Sequence, residues 1–247
     1  MREIRIFVPD LQAHINGGTV ALPEQAAAHV TRVLRLRVGD ALTVFDGRGG
    51  EYTAELASIA KREVTLRLGT HSSTERESPL AVTLIQGLAR GEKMDYIIQK
   101  ATELGVARII PVSTVRSVVQ LDDDRSDRKW QHWRAVAAAA CEQCGRNRLP
   151  EILEPCRLDQ LWRSNVLPSL RLLLSPHAQS GIASSLIPRP TELAVLIGPE
   201  GGLDPEEDRR AQESGFRPVT LGPRVLRTET AGLAVLAAVQ SLAGDLQ

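Results

Sequence analysis

Five consecutive apolar residues, Leu193-Ala194-Val195-Leu196-Ile197, run straight into Gly198-Pro199-Glu200-Gly201-Gly202, and Asp204-Pro205-Glu206-Glu207 follows at once. An apolar run of that length with no alternation predicts a strand covered on both faces, as in a parallel sheet between layers of helices. Asp204 at the cap, Pro205 at the first helical position and Glu207 three residues after the cap open a helix. A buried strand that empties into a glycine turn lies at the ligand-bearing edge of an α/β sheet. A second loop, Leu221-Gly222-Pro223-Arg224-Val225-Leu226-Arg227-Thr228-Glu229-Thr230-Ala231, follows another short strand and feeds a last, nearly all-apolar helix. Glycines let a backbone come close to a ligand, and loops leave amide and carbonyl groups free to bind one. Either loop alone also reads as an ordinary tight turn. Two of them, one with Arg-Thr-Glu-Thr at the mouth of a buried helix, predict a site.

Several chemistries are disfavoured by what these loops lack. Gly198-x-x-Gly201-Gly202 does not have dinucleotide-fingerprint spacing, and Glu200 stands where a pyrophosphate would be repelled. There is no Gly-Lys-Ser/Thr phosphate loop and no Gly-x-Ser-x-Gly elbow, and the five histidines are scattered. An uncharged or zwitterionic cofactor held by backbone groups suits Glu200 better than a polyphosphate does. The 30 basic and 30 acidic residues balance, which argues against an overall cationic coat but not against a local basic patch. Of the three cysteines, Cys141 and Cys144 have metal-like spacing, yet they share one helix and Cys156 is the only other thiol. Free thiols and no metal are expected. No apolar run reaches membrane-spanning length, and Met1 to Val8 reads as a strand rather than a signal, so the cytoplasm is expected.

The first seventy residues carry short alternating strands at Ile4–Val8, Ala41–Phe45, Glu51–Ile59 and Glu63–Leu68, around one short helix from Pro23 to Leu34. That pattern predicts a compact barrel. Arg32 and Arg35 share a helix face there, and Arg5 and Arg37 are further basic residues of this part of the chain. The polar stretch Thr70–Pro79 marks a boundary, giving domains 1–72 and 73–247. Strand Leu80–Gln86, helix Glu92–Leu104, Gly105 and strand Val106–Val112 form a βαβ unit. Lys93 falls in the first turn of that helix, where the dipole disfavours a cation unless an anion is near. Trp130, Trp133, Val136, Ala137 and Ala140 stripe a long helix that ends at Gly145, with Gln143, Arg146, Asn147 and Arg148 expected on the surface. Leu170–Leu174 is a further strand, and Ser175–Gly181 a third candidate loop.

The paired loops Gly198-Pro199-Glu200-Gly201-Gly202 and Leu221-Gly222-x-Arg224-x-Leu226-Arg227-Thr228-Glu229-Thr230-Ala231 resemble those of the SPOUT methyltransferases. More closely, the chain resembles the bacterial 16S ribosomal RNA uridine-N3-methyltransferases. The likeness extends through Gly91–Asp95, Ile98–Gly105, Pro111, Arg116-Ser117 and Glu142-Gln143-x-Gly145-Arg146. In the first domain it is looser, resting on Arg5–Val8, His29-x-x-Arg32-Val33-Leu34-Arg35 and Gly39-Asp40.

This resemblance implies an α/β chain with a small N-terminal PUA-like β-barrel and a C-terminal SPOUT trefoil-knot domain. It also implies a homodimer that binds S-adenosyl-L-methionine in the knot and methylates 16S ribosomal RNA, in an assembled small subunit. Leu174, Ile197, Gly198, Glu200, Gly201 and Gly202 are then expected in the cofactor site, completed by Leu221, Leu226 and Thr228. Arg227 is the candidate for stabilising charge on the uracil carbonyls. Glu229 or Glu200 is a candidate for taking the N3 proton, although each also reads as a brace for loop backbone, the more so for Glu200. Arg5, Arg35, Lys93, Arg116 and Arg146 are expected to meet RNA phosphates. Two departures stand out: Pro176-His177 where the family usually has an acidic residue, and Cys141 and Cys144 where it has small ones. The other readings are an RNA-binding or ribosome-assembly factor without activity and, more remotely, a dinucleotide-dependent oxidoreductase.

Overall fold

A computed structural model describes residues 4–11, 15–16, 18–61, 63–117, 123–162 and 167–246. Met1 to Glu3 of the expected first strand, and Arg163 of the expected turn after Leu158, lie outside the described residues. Two compact units emerge, one of residues 1–77 with 138–149, the other of 78–137 with 150–247.

The first unit is a six-stranded sheet: β1 (Arg5–Phe7), β2 (Ile15–Asn16), β3 (Thr19–Ala21), β4 (Ala41–Phe45), β5 (Glu51–Ile59) and β6 (Val64–Ser72), in the order β1-β4-β5-β6-β3-β2. Only β1 and β4 pair in parallel. Register shifts at Tyr52/Ala54 and Leu56/Ser58 bend the long β5–β6 ribbon around a core of Ile6, Val20, Val44, Leu56 and Leu66. Helix α1 (Glu24–Ala28) continues through a π-helical turn, His29–Val33, and leaves Arg35 exposed with a positive φ of 54°. β6 runs past Leu68 to Ser72, because Tyr52 and Glu51 still have strand partners in His71 and Ser72.

Segment 138–149 belongs to this first unit, which the pattern of charges in the sequence did not reveal. Arg148 bridges to Arg48, the amide of Gly49 donates to the Asn147 carbonyl, and the amide of Leu149 donates to the Gly47 carbonyl. The amide of Phe7 donates to Glu142, whose carboxyl is pushed up in pKa by burial. Arg5 and Arg146 are not surface cations: their side chains are 4% and 6% exposed. Arg5 pairs with Glu51 at 2.6 Å, donates to Asn147 and stacks over Phe45, while Arg146 forms a two-pronged bond to Glu77. Asn147, expected outside, is fully buried and donates to the Thr74 carbonyl. Buried charges persist only when paired.

A pH test follows for this cluster. Burial alone would raise the Glu51 pKa, but the hydrogen bonds from Arg5 and Asn147 and the charges of Arg5 and Arg76 outweigh it and hold the carboxyl below 4.5. A folded-state pKa that is depressed contributes stability above the unfolded value, and that contribution disappears as pH falls through the folded one. The stability gap between the native chain and Glu51→Gln, read from urea midpoints, is therefore expected to be widest near about pH 6–7 and to close below about pH 4. A gap that does not change with pH counts against the ion pair as its source.

The second unit is built on a parallel sheet. Its elements are β7 (Ala81–Gly87), α2 (Lys93–Glu103), β8 (Arg108–Ser113), α3 (Asp123–Cys144, the last turns of which belong to the first unit), β9 (Glu151–Ile152), β10 (Cys156–Arg157), α4 (Leu158–Leu161), β11 (Arg171–Leu174), β12 (Glu192–Ile197), α5 (Pro205–Glu213), β13 (Phe216–Val219) and α6 (Thr228–Ala243). The strand order β10-β8-β7-β12-β11-β13, with β9 beside β8, puts the apolar run of β12 in the centre between β7 and β11. Five of its six residues are buried, split between the two faces: Leu193, Val195 and Ile197 in one core, Ala194 and Leu196 in the other. The unbroken run of apolar residues is thus explained by a helix or loop layer on each side. β10 and a 3-10 turn, Ile182–Leu186, are too short to leave a period in the sequence.

Helix α5 begins as expected. Asp204 accepts from the Glu206 amide and Glu207 accepts from that of Asp204, with Pro205 in the first turn. In α6, Val235, Leu236 and Val239 are completely buried within the chain, in the core that also holds Ile97, Ile98 and Leu84. The apolar girth of this helix therefore does not in itself require a second subunit.

Candidate functional site

The C-terminal ends of β11, β12 and β13 and the start of α6 surround a cleft of about 660 Å³. β12 delivers Ile197 and the turn Gly198–Gly202 to it, and β11 delivers Leu174. The loop after β13 adds Leu221, Leu226, Arg227 and Thr228. All eight residues expected around the adenosine, and Glu200 with them, thus line one cavity although about fifty residues separate the first from the last. Its side walls are apolar, from Leu173, Leu174, Ile197, Leu221, Leu226 and Ala231.

A short chain of hydrogen bonds holds the two glycine loops in register. The Thr228 hydroxyl donates to the Gly198 carbonyl at 2.7 Å and accepts from Gln86 Nε2 at 2.9 Å. Gln86, at the end of β7, is fully buried and also donates to the Gly87 carbonyl; its Oε1 has no partner among the described residues. Next to it, Gly87 lies so close to the Gly198–Gly202 turn that a Cβ there would fall 2.5 Å from the Pro199 nitrogen. Neither residue stood out in the sequence. A glutamine in an apolar strand and a glycine at its end are the only traces they leave.

The glycine turn has equally little spare room. A Cβ on Gly198 would lie 3.1 Å from the Leu203 amide nitrogen and one on Gly201 3.1 Å from Arg116 Cβ, while Gly202 has a φ of +68°. Arg116 braces this turn, donating to the Gly201 carbonyl at 3.2 Å, and stays half-exposed at the cleft. Val225 and Leu226 make no backbone hydrogen bond to another described residue. An apolar slot rimmed by free peptide groups fits a flat heteroaromatic ring with polar edges. The residues present therefore fit an adenosine-bearing cofactor.

The charged groups sort differently from expectation. Lys93 lines the cleft, 3.1 Å from Glu200 Oε1 and 3.3 Å from Glu229 Oε2. The anions that its helix-start position called for are therefore carboxylates of its own chain. Glu200 also accepts from the Arg90 amide; burial would raise its pKa, but its own and the Arg90 backbone amides together with Lys93 pull it down. Glu229 stays off the cleft lining, and its Oε2 is buried. Arg227 caps the start of α6 with its carbonyl, which accepts from Thr230 and Ala231, while its side chain is exposed to the cleft. It makes no ion pair with Glu229. His177, on the third candidate loop, is exposed at the cleft edge. Arg5, Arg35 and Arg146 belong to the first unit. Burial pushes the Cys141 thiol up to about 12, and among the described residues no group of three His, Cys, Asp or Glu side chains is placed to hold a metal. No helix among the described residues is long and apolar enough to cross a membrane.

Known proteins resemble this chain over most of its length. Residues 76–240 match the model of an RNA methyltransferase domain, and residues 22–69 that of an RNA methyltransferase PUA domain. Ribosomal RNA small subunit methyltransferase E of Bacillus subtilis is 34% identical over 228 residues, covering 90% of this chain and 89% of that protein. Among solved structures, a Legionella pneumophila protein in complex with the bound cofactor SAM superposes with a TM-score of 0.94 at 40% identity, covering 100% of both chains. The ribosomal RNA small subunit methyltransferase E of Neisseria gonorrhoeae, bound to S-adenosyl methionine, does so with a TM-score of 0.92 at 36% identity, again over 100% of both chains. The architecture is accordingly a mixed α/β fold, an RNA methyltransferase domain on a parallel sheet with a PUA-like N-terminal unit. With both family models in sequence and both of its glycine loops closing one cleft, the chain belongs to the RNA methyltransferase family that includes the ribosomal RNA small subunit methyltransferases E.

Proposed function

We propose that the protein uses S-adenosyl-L-methionine to methylate N3 of a uridine in 16S ribosomal RNA, as a cytoplasmic homodimer acting on an assembled small subunit. The observation that carries this reading is the Thr228 bridge: one hydroxyl ties the Gly198 turn to the start of α6 and closes an apolar, peptide-rimmed cleft between them. The cofactor supplies an electrophilic methyl carbon whose sulfur keeps the bonding pair when N3 attacks. Leu174, Ile197, Leu221 and Leu226 bind its ring and exclude water, and the backbone of Gly198–Gly202 and Val225–Leu226 fixes its polar edges.

The methyl acceptor has to lose a proton from N3, which passes to solvent at the open cleft, and negative charge then grows on the two flanking carbonyl oxygens. Arg227, whose side chain pairs with no other described residue and faces the cleft, donates to one of them. Glu229 suits a bracing role better than that of base, because its inner oxygen is buried beside Lys93. Arg35 and Arg116, both exposed, remain for RNA phosphates, while Arg5 and Arg146 hold the first unit together. Dimerisation draws support from the apolar groups left bare late in the chain: Ile187, Leu242 and Leu246 are 81%, 53% and 42% exposed.

Purified protein, small subunits lacking the modification and S-adenosylmethionine carrying a labelled methyl group test the proposal. Label recovered as 3-methyluridine in nucleoside mass spectrometry is expected, from a preparation that light scattering shows to be dimeric. Label on another atom, or none, refutes the assigned chemistry, and a monomer of full activity refutes the dimer.

A further inference from the structure

Lys93 occupies an unfavourable place for a cation, since the first turn of a helix carries partial positive charge. Even so, its ammonium is fixed at the cleft by two carboxylates from different segments, Glu200 on the turn after β12 and Glu229 in the first turn of α6. An ammonium has three N–H donors and no acceptor. Glu200 accepts from one of them, Glu229 Oε2 stands 3.3 Å away as an ion pair rather than a hydrogen bond, and the third is left at a side chain that is 31% exposed on the cleft wall. The hydrogen bond that Lys93 donates to Glu200, with the neighbouring Glu229 carboxylate, outweighs desolvation and pushes the lysine pKa up, which favours the ammonium form.

We infer that Lys93 is a catalytic residue of the proposed transfer: its third N–H donates to a carbonyl oxygen of the methyl-acceptor base, and Glu200 and Glu229 are positioning residues that aim it. The inference rests on the uridine N3 reading above. N3 lies between two carbonyls, and of the four cations that line the cleft, Lys93, Arg116, Arg224 and Arg227, two come from helix starts in separate segments, Arg227 from α6 and Lys93 from α2. One donor for each oxygen spreads the charge that appears when the N3 proton leaves. In a partly dehydrated cleft, a fixed donor is worth more than a water molecule that must reorient. A phosphate contact would behave differently, because a phosphate is fully charged before and during the reaction and gains nothing extra at the transition state.

That difference supplies the test. Small subunits are reconstituted with 16S ribosomal RNA containing either uridine or 5-fluorouridine, whose N3–H is more acidic. At saturating S-adenosylmethionine, Lys93→Met is expected to turn over uridine roughly 10²-fold more slowly than the native chain. On 5-fluorouridine the defect is expected to shrink about tenfold, since less help is needed to carry the negative charge. Cofactor affinity by calorimetry should stay within about twofold, as expected for a group used only in the transition state. Equal defects on both substrates overturn the inference, and so does weakened cofactor binding with normal turnover at saturation. Because Lys93→Met leaves two carboxylates facing each other, Lys93→Arg is measured beside it. It keeps the charge but displaces the donor, and a loss of about tenfold on uridine, largely recovered on 5-fluorouridine, is expected. A loss in Lys93→Arg that is the same on both substrates also overturns it. If the native chain places no methyl group on N3 of either substrate, the function itself is wrong and Lys93 falls with it.

Discussion

Arg227→Ala is expected to cut methyl transfer by roughly 10²–10³-fold at saturating S-adenosylmethionine while leaving cofactor affinity within a few-fold of native. Arg227 lies between Leu226, on the apolar wall, and Thr228, whose hydroxyl holds the Gly198 carbonyl. Its own structural work is done by its backbone carbonyl, which accepts from the amides of Thr230 and Ala231 and would survive in an alanine variant. The guanidinium is exposed on the cleft and is not tied to Glu229, which pairs with Lys93 instead. A stiffening role through Glu229 therefore has no contact to carry it. A guanidinium carries five N–H donors and no acceptor, so it acts as a charge donor and never as the base. Turnover close to native at saturating cofactor, combined with weakened cofactor binding, would return Arg227 to a loop-shaping role.

The parts of this molecule that were legible in the sequence are those in which local chemistry and fold agree. The β12 run, its glycine turn and the Asp204 cap form one continuous signal, and each piece is where the local rules put it. The loop Leu221–Ala231 was readable for the same reason, since a polar Arg-Thr-Glu-Thr before an apolar helix has few structural explanations. Pairings between distant segments left no such mark. Glu200 and Glu229 meet Lys93 across 107 and 136 residues, and nothing local to any of the three announces it. Arg5 and Arg146 failed in the opposite direction. Alternation in Arg5–Phe7 and a connection rich in charge both point outward, but the return of 138–149 to the first unit covers them, and Glu51 and Glu77 neutralise them. A periodic pattern reports which face of its own element is apolar, and it is silent about what a remote segment will lay over the polar one.

Gly87→Ala is expected to be the most damaging single-methyl change near the cleft, although Gly87 does not line it. Its backbone is not in the left-handed region, so alanine would be tolerated on conformational grounds. The obstacle is space. The added Cβ would lie 2.5 Å from the Pro199 nitrogen, 2.7 Å from Pro199 Cδ and 2.9 Å from the Gly198 carbonyl carbon. Two of those three atoms are backbone, which cannot swing aside as a flexible side chain does, so the turn itself must retreat. Gly198 is held from the other side by Thr228 and, through it, by Gln86, so the retreat stretches the bridge that closes the cleft. Overpacking of this kind costs about 1–3 kcal/mol of stability. The functional loss should exceed that, because a shift of the turn by about 1 Å misplaces every backbone group that faces the cofactor, and such a shift is worth on the order of 10²-fold in kcat/KM. Calorimetry with S-adenosylmethionine and a urea titration separate the two effects. The expected result is a folded protein, slightly less stable, that binds the cofactor at least about tenfold more weakly. Native affinity in Gly87→Ala would mean that the turn has room to move and that the approach of β7 to Pro199 does not set the geometry of the site.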